Sequence, residues 1–190
     1  LNYTLSRKTS DADGIFSLPS NSYDLAADRS TSDDDNRHRF YGFFNWKVMK
    51  SINFSANAFI TSPNPYSITT GFDNNGDTIF NDRPIGVARN SERGAWSINL
   101  GNTLSWTYAF GKADSPKNPG GGMVIITSGG APPVSVDKKK YSLQFFVSAQ
   151  NVINRVNHIG FVGVQTSPFF RQPVSASSPR RISFGVRFSF

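Results

Sequence analysis

Arg181-Ile182-Ser183-Phe184-Gly185-Val186-Arg187-Phe188-Ser189-Phe190 is the stretch on which the fold is read. Ile182, Phe184, Val186, Phe188 and Phe190 are all apolar, and the residues between them are charged, hydroxylated or glycine. Side chains alternate across a β-strand with period two, so the segment reads as a strand with one greasy face and one polar face. A helix would scatter both sets around its circumference.

The same parity recurs upstream. Over 96–110 the even positions run Trp96, Ile98, Leu100, Asn102, Leu104, Trp106, Tyr108, Phe110, against Ser, Asn, Gly, Thr and Ala on the odd positions. Over 141–150 Tyr141, Leu143, Phe145, Val147 and Ala149 oppose Ser142, Gln144, Phe146, Ser148 and Gln150. Over 51–61 Ile52, Phe54, Ala56, Ala58 and Ile60 form the apolar set, with Phe59 interrupting the polar one. Two less regular segments, 39–48 and 1–8, complete six expected antiparallel strands.

Composition separates two all-β architectures. Charged residues are 17% of the chain and aromatics 14%, with 17 Phe. A water-soluble domain typically carries about 25% charged residues. The plain alternative is a Phe-rich soluble β-sandwich. The Ser, Thr, Asn, Gln and Gly of the polar face suit a solvated sheet or the watery lumen of a large barrel. The apolar face favours the barrel, because its rings sit near strand ends: Trp96 at one end, Trp106, Tyr108 and Phe110 at the other, with Tyr141 and Phe190 at ends too. Such rings suit a membrane interface, where an apolar body and a polar tip are both served. No run of 18 apolar residues exists, so no transmembrane helix is expected. With no cysteine, disulfide scaffolds and thiolate sites are excluded. The net charge of +7 is spread over strand ends and turns, so nucleic acid is not the expected partner.

The connections fix an orientation. The turn at Met49–Lys50 is tight, whereas 9–36, 70–94 and 152–179 are long and rich in Asn, Asp, Ser, Gly and Pro. Outer-membrane barrels carry long extracellular loops and short periplasmic turns. That rule puts the three long loops outside and Phe190 at the periplasmic rim. Segment 111–138, with Gly120-Gly121-Gly122 and Pro132-Pro133, is long yet periplasmic by this count, and Met123–Thr127 is its one candidate strand. Membrane barrels need at least eight strands. Residues 1–190 therefore read as the C-terminal part of an outer-membrane β-barrel, with further strands and any signal peptide expected in a preceding portion.

A series of motifs supports this from another direction. Leu18-Pro19-Ser20-Asn21-Ser22-Tyr23-Asp24-Leu25, Asp34-Asp35-Asn36-Arg37-His38-Arg39-Phe40, Pro65-Tyr66-Ser67-Ile68-Thr69-Thr70-Gly71, Asn75-Gly76-Asp77 through Asn81-Asp82-Arg83-Pro84, Asn151-Val152-Ile153-Asn154-Arg155-Val156-Asn157 and the terminal Arg180–Phe190 occur in order. Together they resemble the C-terminal region of TonB-dependent receptors, in particular the Oar-like group with a carboxypeptidase-regulatory-like N-terminal domain. The resemblance implies a 22-stranded barrel plugged by an N-terminal domain in the Gram-negative outer membrane. It also implies energy-coupled uptake driven by the TonB–ExbB–ExbD complex. The final Phe190, with Phe188 before it, resembles the signal read by the barrel assembly machinery. A structural or adhesive barrel and a passive porin are the alternatives; the substrate is not legible.

Three groups of residues could carry chemistry. Asp73, Asn75, Asp77, Ile79 and Asn81 fall at positions 1, 3, 5, 7 and 9 of a calcium-loop pattern, with Asp82 able to complete it. Thr78 stands where the pattern has Gly, and Pro84 where it has an acid; the plain reading is a turn-rich loop. Arg37, Arg39, Arg180 and Arg181 fall at the outer rim, where guanidinium groups can pair with lipopolysaccharide phosphates. Alternation points Arg39 and Arg181 toward the lumen instead. His38 follows Asp33, Asp34 and Asp35, but no catalytic constellation accompanies it, and no enzymatic activity is expected.

Overall fold

The computed structural model describes residues 1–14, 16–21, 24–112 and 139–190. Among them the strands are β1 (Asn2–Leu5), β2 (Thr9–Ser10), β3 (Ser30–Thr31), β4 (His38–Lys47), β5 (Ile52–Thr61), β6 (Pro65–Tyr66), β7 (Glu92–Arg93), β8 (Ser97–Phe110), β9 (Tyr141–Gln150), β10 (His158–Phe161), β11 (Pro173–Ala176) and β12 (Arg181–Ser189). A single 3-10 turn spans Leu25–Asp28. The protein is all-β. Its main sheet has the order β1-β4-β5-β8-β9-β12, an antiparallel meander with β1 and β12 at the edges. These are the six strands expected from alternation. The expected strand over Met123–Thr127 lies outside the described residues.

The chain divides into two compact units that cut the strands across their length: Leu1–Tyr41, Phe59–Ile98 and Arg155–Pro179 in one, Gly42–Ala58, Asn99–Asn154 and Arg180–Phe190 in the other. The second unit is nearly all ladder. Here β8 runs against β9 from Asn102↔Ala149 to Phe110↔Tyr141, and β9 against β12 from Arg181↔Gln150 to Ser189↔Ser142. The hairpin joining β4 to β5 closes on Met49 and Ile52, which exchange both backbone hydrogen bonds at 3.2 Å. Lys50-Ser51 is therefore the turn, one residue beyond the expected Met49–Lys50. On β12 Gly185 lets the Phe146 ring lie flat on the strand: a Cβ there would come within 2.2 Å of that ring.

The first unit holds the long connections, and these are more ordered than loops. Each folds into small antiparallel pairs, β2 with β3, β6 with β7, and β10 with β11. Two segments also meet each other: Thr69 N–H donates to Gly163 O at 3.0 Å, and Gln165 N–H to Thr69 O at 2.9 Å. Asn157 does the work of a strand. Its Oδ1 accepts from Ile98 N–H and its Nδ2 donates to Ile98 O, both at 2.9 Å. The side chain thus closes the two backbone groups at the start of β8 that the ladder leaves open.

Candidate functional site

Burial on β8 and β9 is inverted relative to a water-soluble protein. On β8 Trp106 and Tyr108 are 47% and 55% exposed, while Ser105 between them is 2% exposed. On β9 Phe145 and Val147 are exposed and Gln144 is buried; on β12 Ile182, Phe184, Val186 and Phe188 are all exposed. Among the described residues Ile68 is the one buried hydrophobic side chain. Hydrophobic residues scattered singly over a surface are ordinary, but a contiguous exposed apolar face marks an interaction surface.

Register makes that face contiguous. Leu104, Val147 and Phe184 form one cross-strand row, Trp106, Phe145 and Val186 the next, and Tyr108, Leu143 and Phe188 a third. Trp106 stacks on Phe145 with centroids 5.6 Å apart. At the far end of the strands Phe110 meets Tyr141 at 5.5 Å, Tyr141 stacks on Phe188 at 6.1 Å, and Phe188 stacks on Phe190 at 6.0 Å. The expected terminal pair Phe188 and Phe190 therefore closes an aromatic cluster. The opposite face carries Thr103, Ser148 and Ser183 in one row, and Thr107, Gln144 and Arg187 in another.

In the other unit a second aromatic group forms. His38 lies between Tyr3 and Trp96, with ring centroids 6.2 and 6.0 Å away, and its Nδ1 is hydrogen-bonded to Tyr3 Oη at 2.8 Å. These three residues, with Phe40 and Ile60, line a shallow groove of about 300 Å³. His38 is thus an element of an apolar surface, and its hydrogen-bonding partner is a tyrosine. Asp34 and Asp35, four and three residues before it, bond elsewhere.

Asp35 is fully buried, the most enclosed side chain among the described residues. It accepts from Lys8 N–H at 2.8 Å and from Arg93 Nη2 at 2.6 Å, and Arg37 Nε stands 3.5 Å away. Burial pushes its pKa up, but the Arg93 guanidinium, the Lys8 amide and Arg37 outweigh that and hold it below the ordinary carboxylate value. Asp28 is a parallel case: burial raises it, while the Ser20 amide and hydroxyl and Arg83 bring it below the ordinary value. Arg83 Nη1 lies 2.6 Å from Asp28, and Arg89 Nε donates to the Asp28 carbonyl at 2.9 Å. Arg89 also pairs with Asp13, whose carboxylate accepts from Asn90 Nδ2 at 3.0 Å. A network of Asp–Arg pairs, rather than a hydrophobic core, ties these connections together.

The residues singled out from the sequence fall as follows. Asp73 caps a tight turn: its Oδ1 accepts from Gly76 and Asp77 N–H at 2.7 and 3.1 Å, and its Oδ2 from Thr78 N–H at 2.9 Å. Asn75 Oδ1 accepts from Asp77 N–H and Asp77 Oδ1 from Ile79 N–H, while Asp82 Oδ2 accepts from Asn74 and Asn75 N–H. Thr78 takes φ 69°, the left-handed conformation for which the calcium pattern has Gly. Asn81 Nδ2 turns away to the Leu18 and Pro19 carbonyls. The side-chain oxygens of the segment serve its own backbone amides. Among the described residues there is no group of three His, Cys, Asp or Glu placed to hold a metal ion. Of the rim arginines, Arg37 faces Asp35 and Arg39 Nη2 lies 3.4 Å from Asn36 Oδ1 in one unit. Arg180 and Arg181 are exposed in the other, Arg181 opposite Gln150.

Comparison with protein-family models, with curated proteins and with solved structures finds no match to this chain.

Proposed function

We propose that the chain supplies six strands of an outer-membrane β-barrel and belongs to a TonB-dependent receptor, taking up its substrate with energy coupled through TonB–ExbB–ExbD. The observation that carries the membrane half of this reading is the inverted sheet: Trp106 and Phe184 exposed, Ser105 and Gln144 buried. Water would penalise that face, and hydrocarbon would not. The rings gathered at one end of the strands, Phe110, Tyr141 and Phe188, fit a bilayer interface. The sheet edges β1 and β12 call for further strands, because an unpaired edge in lipid leaves backbone groups unsatisfied at several kcal/mol each.

The receptor half rests on the ordered motifs from Leu18–Leu25 to Arg180–Phe190. A 22-stranded closure, recognition of Phe190 by the assembly machinery, and contact of rim arginines with lipopolysaccharide belong to the same reading. The network of Asp13, Asp28, Asp35, Arg83, Arg89 and Arg93 suits it, since extracellular connections without an apolar core need polar ties to keep a defined shape. The test uses the intact protein in bilayers with Trp106 as the sole tryptophan, Trp46, Trp96 and any tryptophan elsewhere in the protein being replaced by Phe. Lipids brominated on their acyl chains should quench Trp106. Fluorescence that responds to aqueous iodide and not to the brominated lipid would reject the membrane reading.

A further inference from the structure

Asn75-Gly76 is the one Asn-Gly pair in the chain. In such a pair the glycine amide nitrogen can attack the asparagine carboxamide carbon, since glycine has no side chain to obstruct the approach. The bond from Gly76 N to Asn75 Cγ forms and the Cγ–Nδ2 bond breaks. Ammonia leaves with the amide proton of Gly76, and water then opens the succinimide to aspartate or isoaspartate. The pair has room for this chemistry: Asn75 and Gly76 are exposed, and nothing lies within 4 Å of the position a Gly76 Cβ would take.

The folded turn works against the reaction. Gly76 N–H donates to Asp73 Oδ1 at 2.7 Å. A carboxylate is too weak a base to strip an amide proton, so this bond pins the nitrogen and does not activate it. The Asn75 carboxamide is held as well. Its Nδ2 donates to Ser20 O at 2.9 Å and to Asp77 Oδ2 at 3.1 Å, and its Oδ1 accepts from Asp77 N–H at 3.0 Å. Ring closure must bring the nitrogen and the carboxamide carbon together, so these bonds have to open first.

The same carboxamide ties distant parts of the chain. Ser20 is 55 residues from Asn75, and Asn81 Nδ2 reaches the neighbouring Leu18 and Pro19 carbonyls at 3.2 Å. Ser20 in turn gives its amide and its hydroxyl to buried Asp28, at 2.9 and 2.8 Å. Deamidation replaces the Nδ2 donor by a carboxylate oxygen. That oxygen would face the Ser20 carbonyl and the Asp77 carboxylate, acceptor against acceptor and charge against charge.

We propose that Asn75 is a deamidation site that the folded turn guards, and that its conversion releases the turn from Leu18–Ser20. Asp73, a candidate calcium ligand by its spacing, is the guard. Asp73, Asn75, Asp77, Ser20 and Asp28 all lie within one compact unit, so the proposal does not depend on the membrane reading.

The test ages the intact protein in neutral buffer made with heavy-oxygen water, so that conversion during storage is told from conversion during digestion. Peptides are read by mass spectrometry, and isoaspartate is scored by its resistance to an aspartate-specific protease. The folded parent should keep Asn75 well after the urea-unfolded protein has converted it. Asp73→Ala should speed conversion in the folded protein by about tenfold or more, the weight of one hydrogen bond to a carboxylate. Adding Gly76→Ala should bring the rate back down, because the methyl obstructs ring closure. Asn75→Asp, which carries the charge of the product, should raise protease cleavage around Leu18–Ser20. Asn74→Asp should not, because Asn74 Nδ2 bonds Thr70 and not that segment. Equal conversion in the folded and unfolded parent, or an unchanged rate in Asp73→Ala, overturns the guarded site. Cleavage around Leu18–Ser20 that is unchanged in Asn75→Asp, or raised equally by Asn74→Asp, overturns the release.

Discussion

Replacing Asp35 by Ala should loosen the connections it ties, and the structure sets the size of the effect. Asp35 is fully buried and accepts two hydrogen bonds, from Lys8 N–H and Arg93 Nη2. Removing one partner of a buried pair costs about 3–5 kcal/mol. Arg93 retains the Asp35 and Pro63 carbonyls as acceptors at 2.9 and 3.0 Å, and its side chain is 28% exposed. The lower end therefore applies, about 3 kcal/mol, equivalent to roughly a hundredfold in the local opening equilibrium. Asp35→Asn keeps the shape and one acceptor and should cost about 1–2 kcal/mol. Amide hydrogen exchange of the segment around Lys8 and Arg93 in the intact protein reads this directly. Asp34→Ala is the control: that carboxylate is exposed beside Lys8 Nζ, and its loss should not change exchange measurably. The same pair predicts a pH dependence. The folded-state pKa of Asp35 lies below the unfolded value of about 3.9, so its contribution is complete above that value and is lost as pH falls through the folded pKa. Protection that is unchanged in Asp35→Ala, or lost equally in Asp34→Ala, would refute the reasoning.

Three further outcomes follow from single contacts. Asn157→Asp replaces the donor to Ile98 O with a second acceptor and should destabilise the start of β8 by about 2–3 kcal/mol, with Asn157→Ala close behind, read as faster exchange of Ile98 N–H. Gly185→Ala drives a methyl into the Phe146 ring and should slow assembly or lower the unfolding temperature of the intact barrel; adding Phe146→Leu should restore most of the loss. Asp73→Ala removes the acceptor for three backbone N–H groups and should raise protease cleavage between 73 and 79, whereas chelator should leave the parent protein's cleavage unchanged.

The ladder was legible because period two needs only neighbours. Even positions of 97–110 and odd positions of 141–149 emerged on one face, and the register pairs them as such, Trp106 with Phe145. β4 was harder, since Tyr41, Phe43, Phe44 and Trp46 put rings on both faces and all are exposed. The polar ties were not legible, because their partners are far apart in the chain: Asp28 and Arg83 are 55 residues apart, Asp35 and Arg93 58, Ser10 and Arg89 79. Proximity in sequence drew attention to His38 beside Asp35. The two part because the chain turns at 32–36 before β4 begins at His38, which sends Asp35 to Arg93 and His38 to Tyr3. The turn at 73–79 was legible from its Asp and Asn spacing. That pattern specifies both a turn and a calcium loop, so spacing by itself did not choose between them.

The most direct test of the account is the parity of β8 in the intact protein. Residues 1–190 contain no cysteine, so once any cysteine elsewhere in the intact protein is replaced by Ser, single cysteines at positions 103 to 108 report without background. Each is labelled in native membranes with a maleimide confined to the bilayer and, separately, with a charged maleimide confined to water. Leu104→Cys, Trp106→Cys and Tyr108→Cys should react with the bilayer probe, and Ser105→Cys and Thr107→Cys should not. Equal labelling at odd and even positions, or reaction of the even positions with the water-confined probe alone, would contradict a membrane-facing sheet.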